Sequence, residues 1–321
     1  MSERKTTIPN SRVQPRFGGI ATFGRYPRLE DVEAEGKEID WAIVGAPFDG
    51  GVTFRPGTRF GPRAIREQSQ YLKHYSMEHA VDVPGVLSLA DAGDTPIKPY
   101  SVKETLDGVV EHLGGIGDQS SKIMLLGGDH SLVYAGMKAA WVRQGQPGGG
   151  LACVHFDSHM DTLDSVWGEK WNHATPFRRL IEEGILNPKK MVSIGIKGPL
   201  NTEDDLDYAR EQGIELVPHA RWEAEGFAPI QSALDRIGAD PVYLSYDIDC
   251  VDPVYAPGTG TPCVGGFTSA EALDLLRGLK GINLAGADVV EVLPDRDVAG
   301  NTALLAAHIA FEIMALDAAT R

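Results

Sequence analysis

The sequence predicts an α/β protein with three layers, in which helices cover both faces of a central, mostly parallel sheet of about eight strands. Short apolar runs alternate along the chain with segments whose apolar residues recur at helical spacing. The apolar runs lack the polar alternation of half-exposed strands, which indicates burial on both faces. Clusters of Asp and His follow several runs directly, and in parallel sheets such strand ends form the binding edge.

The predicted strands each run into a loop or turn before the next helix. The first covers residues 39–48, and the others are 86–89, 122–126, 151–156, 191–196, 214–217, 242–246 and 284–290. Helices are predicted at residues 63–75, 102–113, 132–143, 176–183, 203–212, 228–237, 270–279 and 302–317. Strands that alternate with helices in this way favour a parallel sheet.

The chain is predicted to consist of an N-terminal arm, residues 1–38, and one folded domain, residues 39–321. The arm contains Pro9, Pro15 and Pro27 and the pair Gly18-Gly19, which favour irregular structure. Of the 321 residues, 42% are hydrophobic and 23% are charged, as in soluble globular proteins with a sizeable core. No low-complexity linker or charge run divides residues 39–321, so one domain is expected.

Charge and cysteine usage exclude several classes of protein. The net charge of −15 argues against nucleic acid as a partner, because phosphate binding needs clustered Lys and Arg, and it is compatible with a cationic substrate. We expect no membrane span, since no apolar run is seen to reach roughly 18 to 20 residues, and no secretory signal. Cys153, Cys250 and Cys263 show no C-x-x-C spacing, so free thiols and a cytoplasmic location are expected.

The stretch from Asp157 to Asp161 is the first indication of a metal site. Asp157, His159 and Asp161 are spaced two apart directly after an apolar run. In extended backbone such side chains share one face, about 6 to 7 Å from one to the next. Asp and His at this spacing offer hard oxygen and borderline nitrogen donors to a metal. A polar turn after a strand is the alternative interpretation of one Asp-x-His alone.

Three further predicted strands end in residues of the same kinds. Asp247 and Asp249 follow the run at 242–246. His130 comes shortly after the run at 122–126, and Glu291 follows the run at 284–290. The carboxyl ends of parallel strands meet at one edge of a sheet, so these side chains are expected to lie close together. His155 lies within its strand and is interpreted as a core histidine.

Two imidazoles and four carboxylates make up the candidate ligand set: His130, Asp157, His159, Asp161, Asp247 and Asp249. Four neighbouring carboxylates without cations would repel and stay partly protonated, whereas two divalent ions bring four compensating charges. Imidazole and carboxylate without thiolate suit Mn²⁺, with Ni²⁺, Co²⁺, Fe²⁺ or Zn²⁺ as alternatives. Two such ions about 3.5 to 4 Å apart can share a water and present hydroxide, which predicts a hydrolase.

Four motifs in this order resemble those of the ureohydrolases, the family of arginase, agmatinase and guanidinobutyrase. They are Gly-Gly-Asp-His-Ser (127–131), Phe-Asp-Ser-His-Met-Asp (156–161), Ser-Tyr-Asp-Ile-Asp-Cys-Val-Asp-Pro (245–253) and Ala-Pro-Gly-Thr-Gly-Thr-Pro (256–262). The resemblance extends from about Arg16 to Leu316 and is nearest to the agmatinase, guanidinobutyrase and guanidinopropionase branch. It implies an arginase-like fold, a pair of Mn²⁺ ions, trimers or hexamers, and cleavage of a guanidino group to urea and an amine.

The resemblance also implies a role for each site residue. His130 and Asp161 would hold one ion, and His159 and Asp249 would hold the other. Asp157 and Asp247 would bridge the two ions. The implied reaction is attack of a metal-bridging hydroxide, oriented by Asp161, on the guanidinium carbon. Glu291 would bind the planar guanidinium as a carboxylate fork. His173 would shuttle a proton to the leaving amine.

The implied substrate is a small cationic guanidine such as 4-guanidinobutanoate, 3-guanidinopropanoate or agmatine. Thr261 is expected to line the pocket, and Leu163, Val166 and Trp167 to form an apolar mouth. Relatives usually carry Asn at the position of Leu163, which makes arginine a poor fit. The apolar mouth leaves open an N-alkylated guanidine or a biguanide such as metformin. Arg296 is interpreted either as a partner of a substrate carboxylate or as part of a surface ion pair.

Two other classes share parts of this pattern. Deacetylases of similar fold bind a single Zn²⁺ and lack the full set of six ligands. A non-catalytic subunit, joined to a catalytic paralogue in a hetero-oligomer instead of forming a homo-oligomer, is the second class. Such subunits typically lose metal ligands, and none is lost here. Metal analysis distinguishes the classes, because they bind two ions, one ion or none per chain.

Overall fold

The computed structural model describes residues 4–321, and its centre is one sheet of eight parallel strands. In chain order the strands are β1 (Trp41–Gly45), β2 (Leu89–Asp94), β3 (Lys122–Leu126), β4 (Leu151–Phe156), β5 (Leu186–Ile194), β6 (Glu215–Val217), β7 (Val242–Asp247) and β8 (Leu284–Val290). They lie in the order β2-β1-β3-β8-β7-β4-β5-β6. The predicted α/β class with a sheet of about eight strands is confirmed.

Helices cover both faces of the sheet. They are α1 (Leu29–Ala34), α2 (Gly61–Ser69), α3 (Val83–Val86), α4 (Val102–Gly114), α5 (Val133–Arg143), α6 (Pro176–Glu182), α7 (Asp207–Gln212), α8 (His219–Glu225), α9 (Ala228–Ile237), α10 (Ser269–Gly278) and α11 (Asn301–Ala318). Successive residues of β1 point to opposite faces, so that Ile43 packs in one buried hydrophobic cluster and Val44 in another. Two cores separated by the sheet produce the three predicted layers.

Helix α11 is a core helix. Contrary to the expectation from the sequence, its segment Val298–Ala318 is long and apolar enough to cross a membrane by length and composition. However, 67% of the most apolar 18 residues of this segment are buried inside the structure. Its interior charge is satisfied within the protein. Asp317 accepts a hydrogen bond from Trp41 Nε1 at 2.8 Å and pairs with Lys122 at 2.7 Å.

The second predicted strand is wrong in position. Residues 83–86 form the short helix α3, which carries Pro84 in its first turn, and β2 runs from Leu89 to Asp94. The apolar pattern misses β2 because the strand contains Asp91, a carboxylate only 4% exposed. Arg66 donates to Asp91 from Nε at 2.8 Å and from Nη2 at 3.0 Å. This charge pairing replaces the apolar character expected of a buried strand.

Two other predicted segments differ from the structure. The helix predicted at 63–75 ends at Ser69, and Tyr75–Ser76 instead pairs with Val81–Asp82 as a small antiparallel hairpin. The predicted arm contains α1 and buries Phe23 and Tyr26 in the core, so it is more ordered than expected. Residues 1–3 of that arm lie outside the described residues.

The strand order places the four motif-bearing strands side by side. Strands β3, β8, β7 and β4 are consecutive neighbours in the sheet. Each carries its candidate residues at its carboxyl end: His130 after β3, Glu291 after β8, Asp247 and Asp249 at the end of β7, and Asp157 after β4. The fold alone therefore gathers these side chains at one edge, as the strand-end rule predicts.

Gly128 lies beside two of these strand ends with no room for a side chain. A Cβ at this position would stand 1.7 Å from the carbonyl oxygen of Phe48. The backbone is tied on both sides, since the Asp129 N–H donates to Phe48 O at 2.9 Å and the Glu291 N–H donates to Gly128 O at 2.8 Å. This close approach fixes the path of the chain into His130.

We expect Gly128→Ala to lower the free energy of unfolding by about 1–3 kcal/mol or more, because the added methyl group must displace the backbone at Phe48. Gly108 in α4 is the matched control, since a Cβ there meets nothing within 4 Å outside its own helix. Gly108→Ala should raise the free energy of unfolding by about 0.5–1 kcal/mol. Urea unfolding measures both. A Gly128→Ala protein as stable as the parent would contradict this packing.

Candidate metal centre

The loop after β4 brings Asp157 and His159 together through its own backbone. Asp157 Oδ1 accepts the His159 N–H at 2.6 Å, and His159 Nδ1 lies 3.4 Å from the same oxygen. The loop is not extended as the spacing suggested, because β4 ends at Phe156 and Asp161 has a φ of 52°. This left-handed conformation is uncommon for a residue other than glycine, and it accompanies the approach of Asp161 to His130.

The turn at the end of β7 presents the second pair of carboxylates. Asp247 Oδ1 accepts the Asp249 N–H at 2.8 Å. Asp249 Oδ1 accepts the Ser158 N–H at 3.0 Å, which joins this turn to the loop after β4. Asp249 Oδ2 lies 3.0 Å from His159 Nδ1. One oxygen of Asp249 therefore holds the two loops together while the other faces His159.

His130 occupies the other half of the cluster. Three carboxylate oxygens surround its buried Nδ1, those of Asp157 at 3.0 Å, Asp161 at 3.0 Å and Asp247 at 3.3 Å. None of these contacts is a hydrogen bond, and Nδ1 has no hydrogen-bond partner among the described residues. A buried nitrogen that faces three acceptor oxygens is the environment of a metal ligand.

The opposite nitrogen of His130 defines its tautomer. His130 Nε2 lies 2.8 Å from Ser245 Oγ, and Ser245 Oγ donates its proton to Asp288 Oδ1 at 2.8 Å. Ser245 can therefore only accept from Nε2, so Nε2 carries the imidazole proton. The lone pair of Nδ1 then points at the carboxylates, as metal coordination requires.

The negative charge of the carboxylate cluster favours the binding of cations. Burial and the charges of Asp249 and Asp157 raise the pKa of Asp247 well above its usual range, and burial and Asp157 raise the pKa of Asp161. Burial lowers the pKa of His130, but the carboxylates around it outweigh this effect and raise that pKa well above its usual value. The raised pKa values mean that these groups favour protonation, because protons supply the positive charge that the cluster lacks. These donors and this charge deficit fit divalent metal ions.

Ligand atoms lie within 4.8 Å of one another in two groups: His130, His155 and Asp157, and Asp157, His159 and Asp249. Both nitrogens of His155 already have partners, because Nδ1 is 2.9 Å from Ser193 Oγ and Nε2 is 3.0 Å from Asp157 Oδ2. The ring of His155 also packs against Phe177, with centroids 4.3 Å apart. His155 therefore fits the core-histidine interpretation, and it holds Asp157 in place.

Glu291 and His173 form a second polar unit next to the ligands. Glu291 has a φ of 65°, and its Oε1 accepts hydrogen bonds from the His130 N–H and from His173 Nδ1, both at 2.9 Å. Its Oε2 is buried and has no partner among the described residues. His173 Nε2 accepts the Thr53 N–H at 3.0 Å and lies 2.7 Å from Thr53 Oγ1. Burial lowers the pKa of His173, but Glu291 outweighs it and raises this pKa to about 9.

A cavity of about 700 Å³ opens from the ligand cluster to the surface. Four of the residues predicted to contact the substrate line it, Leu163, Val166, Trp167 and Thr261, whereas Glu291 is buried and is not among its lining residues. Thr261 Oγ1 lies 3.4 Å from Asp249 Oδ2, and Trp167 is 82% exposed. Arg296 is exposed, does not line this cavity and forms no ion pair within residues 4–321, so neither role considered for it is supported.

Several polar residues of the cavity wall are absent from the sequence predictions, among them Thr53, Lys197 and Asp205. Lys197 directly follows the strand predicted at 191–196, and Thr53 lies in the loop after β1, so the strand-end rule could have found both. Asp205 lies farther along the chain, in a short 3-10 helix before α7. No sequence signal connects Asp205 to the ligands, because only the folding of the 199–206 segment over the cavity places it there.

Comparison with known proteins agrees with this geometry. The family model described as "Arginase family" matches residues 39–316. Proclavaminate amidinohydrolase of Streptomyces clavuligerus is 38% identical over 306 residues, which cover 95% of each chain. Guanidinobutyrase of Pseudomonas aeruginosa is 38% identical over 301 residues, covering 94% of this chain and 93% of the relative. The solved structure of the Streptomyces amidinohydrolase has a TM-score of 0.88 at 37% identity and covers 96% of this chain and 100% of its own.

We expect Asp247→Ala to lose bound metal, because this carboxylate faces His130 and also orders the Asp249 turn. The parent should hold two ions per chain after dialysis, and the variant one or none, measured by mass spectrometry of the metal. Asp274→Ala is the control, since the Asp274 side chain is 72% exposed and, within residues 4–321, pairs only with Arg277. Retention of two ions by a folded Asp247→Ala protein would contradict the proposed centre.

Proposed function

The chain belongs to the arginase family of amidinohydrolases, and on that premise we propose that it hydrolyses the guanidino group of a small guanidine to urea and an amine with two bound divalent ions. One observation carries the proposal. The buried Nδ1 of His130 faces three carboxylate oxygens at 3.0 to 3.3 Å without a hydrogen bond, directly beneath an open cavity. Such a nitrogen is satisfied by a metal ion and by no neighbouring protein donor.

The distances support a division of the ligands between two ions. We propose that His130 and Asp161 would hold one ion and that His159 and Asp249 would hold the other. Asp157 and Asp247 would contribute to both. Asp157 is suited to a shared role because Oδ2 lies 3.0 Å from His130 and Oδ1 lies 3.4 Å from His159. Mn²⁺ is the ion we propose, with Ni²⁺ as the alternative, since the donors are oxygen and imidazole without thiolate.

The residues around the ligands supply binding and proton transfer. When bound, the two ions would supply a hydroxide nucleophile at neutral pH. Glu291 Oε2, buried and without a hydrogen-bond partner among the described residues, is proposed to accept an N–H of the guanidinium and to neutralise its charge. Asp161 orients the attacking oxygen as a hydrogen-bond acceptor. His173, held by Glu291 and facing the cavity, carries the proton that the leaving amine needs.

The substrates of relatives give the range of candidates. Similar proteins are named guanidinobutyrase, guanidinopropionase and agmatinase. We propose a substrate of this size, with an N-alkylated guanidine or biguanide as the alternative that the apolar wall of Leu163, Val166 and Trp167 favours. A non-catalytic subunit is the less favoured reading, because all six ligands of the candidate set converge.

We also propose that the chain assembles as a homo-oligomer, a trimer or a hexamer. The arm supports this, because it leaves large apolar side chains in solvent: Val13 is 77% exposed, Phe17 96% and Ile20 75%. A second copy that covers these side chains would remove them from water.

The activity is tested by urea release from a panel of guanidines after loading with Mn²⁺ or Ni²⁺. The panel contains 4-guanidinobutanoate, 3-guanidinopropanoate, agmatine, methylguanidine and metformin, with arginine as the expected poor substrate. We expect urea from at least one compound with two ions bound per chain. Absence of urea from every compound by a protein that holds two ions would contradict the proposal. Release of acetate from acetylated amines, with one ion bound, would favour a deacetylase.

We expect the turnover number of the parent to fall as the pH rises through about 9, because His173 loses its proton there. His173→Asn should lower turnover by roughly 10²- to 10⁴-fold and remove that alkaline decline. The pH profile of kcat for both proteins measures the effect. His308→Asn, an exposed histidine on α11, should keep the parental profile. An unchanged alkaline decline in His173→Asn would exclude His173 as its origin.

A further inference from the structure

The outer part of the cavity determines which substrate tails can enter. Its wall includes Leu163, Val166 and Trp167 and residues of the segment from Pro199 to Leu206. In the proposed function the guanidinium lies next to Asp161 and Asp247, which also line the cavity. The tail of a substrate must therefore extend past these two walls toward the surface. The charges along this path decide between tails of opposite sign.

Lys197 is the one Lys or Arg among the described residues that line this cavity. Its ammonium group is already committed. Nζ donates to Ser158 Oγ at 2.5 Å and to the carbonyl oxygens of Asp249 and Cys250, both at 3.1 Å. Three acceptors use all three ammonium protons. Moving Lys197 toward a substrate would break the bonds that tie the two ligand-bearing loops together, so it offers no free cation to a carboxylate tail.

Asp205 is the anionic group of the outer wall. Its carboxylate accepts from the Asn201 N–H at 2.8 Å and from Thr202 Oγ1 at 2.9 Å, and both donors are neutral. No Lys, Arg or His of residues 4–321 forms an ion pair with it. Burial raises the pKa of Asp205, but these hydrogen bonds outweigh it and lower the pKa. Asp205 therefore stays ionised, and its charge has no counter-ion within the chain.

We propose that Asp205 is a specificity-determining residue, which favours guanidines with a cationic or uncharged remote end and disfavours guanidino acids. This inference rests on the proposed function and narrows it. A remote ammonium would meet an unpaired carboxylate at the outer wall, whereas a remote carboxylate would meet a like charge and no free cation. The methylene chain between the two ends packs on the apolar side of the cavity.

The test compares agmatine with 4-guanidinobutanoate, two substrates of similar length and opposite tail charge. We expect kcat/KM to be at least about tenfold higher for agmatine, and n-butylguanidine, with no tail charge, to exceed the acid as well. The ratio of two substrates in one preparation is independent of the metal-loaded fraction. Higher ionic strength should reduce the preference for agmatine over n-butylguanidine, because salt screens an exposed carboxylate.

The variant Asp205→Asn should lower the kcat/KM ratio of agmatine to 4-guanidinobutanoate several-fold. Its amide oxygen can still accept from the Asn201 N–H, and its NH2 group can donate to Thr202 Oγ1. Asp204→Asn is the matched control, since it removes the same charge from an exposed neighbour that does not line the cavity, and its ratio should equal that of the parent. A parent that prefers the guanidino acid, or an Asp205→Asn ratio equal to that of the parent, overturns this inference alone. Urea from none of the guanidines overturns the proposed function together with it.

Loss of guanidino-acid turnover in Lys197→Met, with agmatine turnover kept, would show that Lys197 leaves its three acceptors to bind the acid. That outcome would also overturn the proposal. Equal losses for both substrates would instead agree with the role of Lys197 in tying the Ser158 and Asp249 loops together.

Discussion

The mutual repulsion of four clustered carboxylates, three buried and one at the cavity wall, is the constraint on which the architecture depends. Asp157, Asp161, Asp247 and Asp249 come from two neighbouring strands and converge where water is largely excluded. Backbone hydrogen bonds hold these carboxylates in place. The His159 N–H donates to Asp157, and the Ser158 N–H donates to Asp249. A cluster of this kind is stable only with compensating positive charge, so folding and cation binding favour the same geometry.

Residues that contact the candidate ligands determine the tautomer of His130 and the hydrogen bonds of its neighbours. Ser245 and Asp288 place the proton of His130 on Nε2, and Ser193 with Asp157 satisfies both nitrogens of His155. The sheet supplies these partners at equivalent depth, since Ser245 is aligned with Asp288 in β8 on one side and with His155 in β4 on the other. A parallel sheet can therefore orient a metal ligand from the strand next to it.

Much of the fold and of the ligand set follows from the sequence, and particular residues show why the rest does not. The strands that precede His130, Asp157 and Glu291, and the strand that ends in Asp247, are near-continuous apolar runs. The sequence therefore predicts where these strands end and that the ends share one edge of the sheet. The apolar pattern does not predict strand β2, because the strand contains the buried Asp91. This carboxylate pairs with Arg66, which comes from helix α2. The sequence pattern does not predict Asp205 as a cavity residue, because its segment shows no apolar periodicity that would indicate where it folds.

Glu291 connects two events that are usually described separately. Its Oε1 holds the backbone of His130 and the ring of His173, while its Oε2 has no hydrogen-bond partner among residues 4–321. A displacement of this one side chain would therefore move the imidazole that faces the carboxylate cluster. Under the proposed function, the affinities for guanidinium and for metal are thermodynamically linked, and each ligand changes the affinity for the other by the same factor. Cooperativity between the proposed cofactor and substrate would then depend on a single carboxylate.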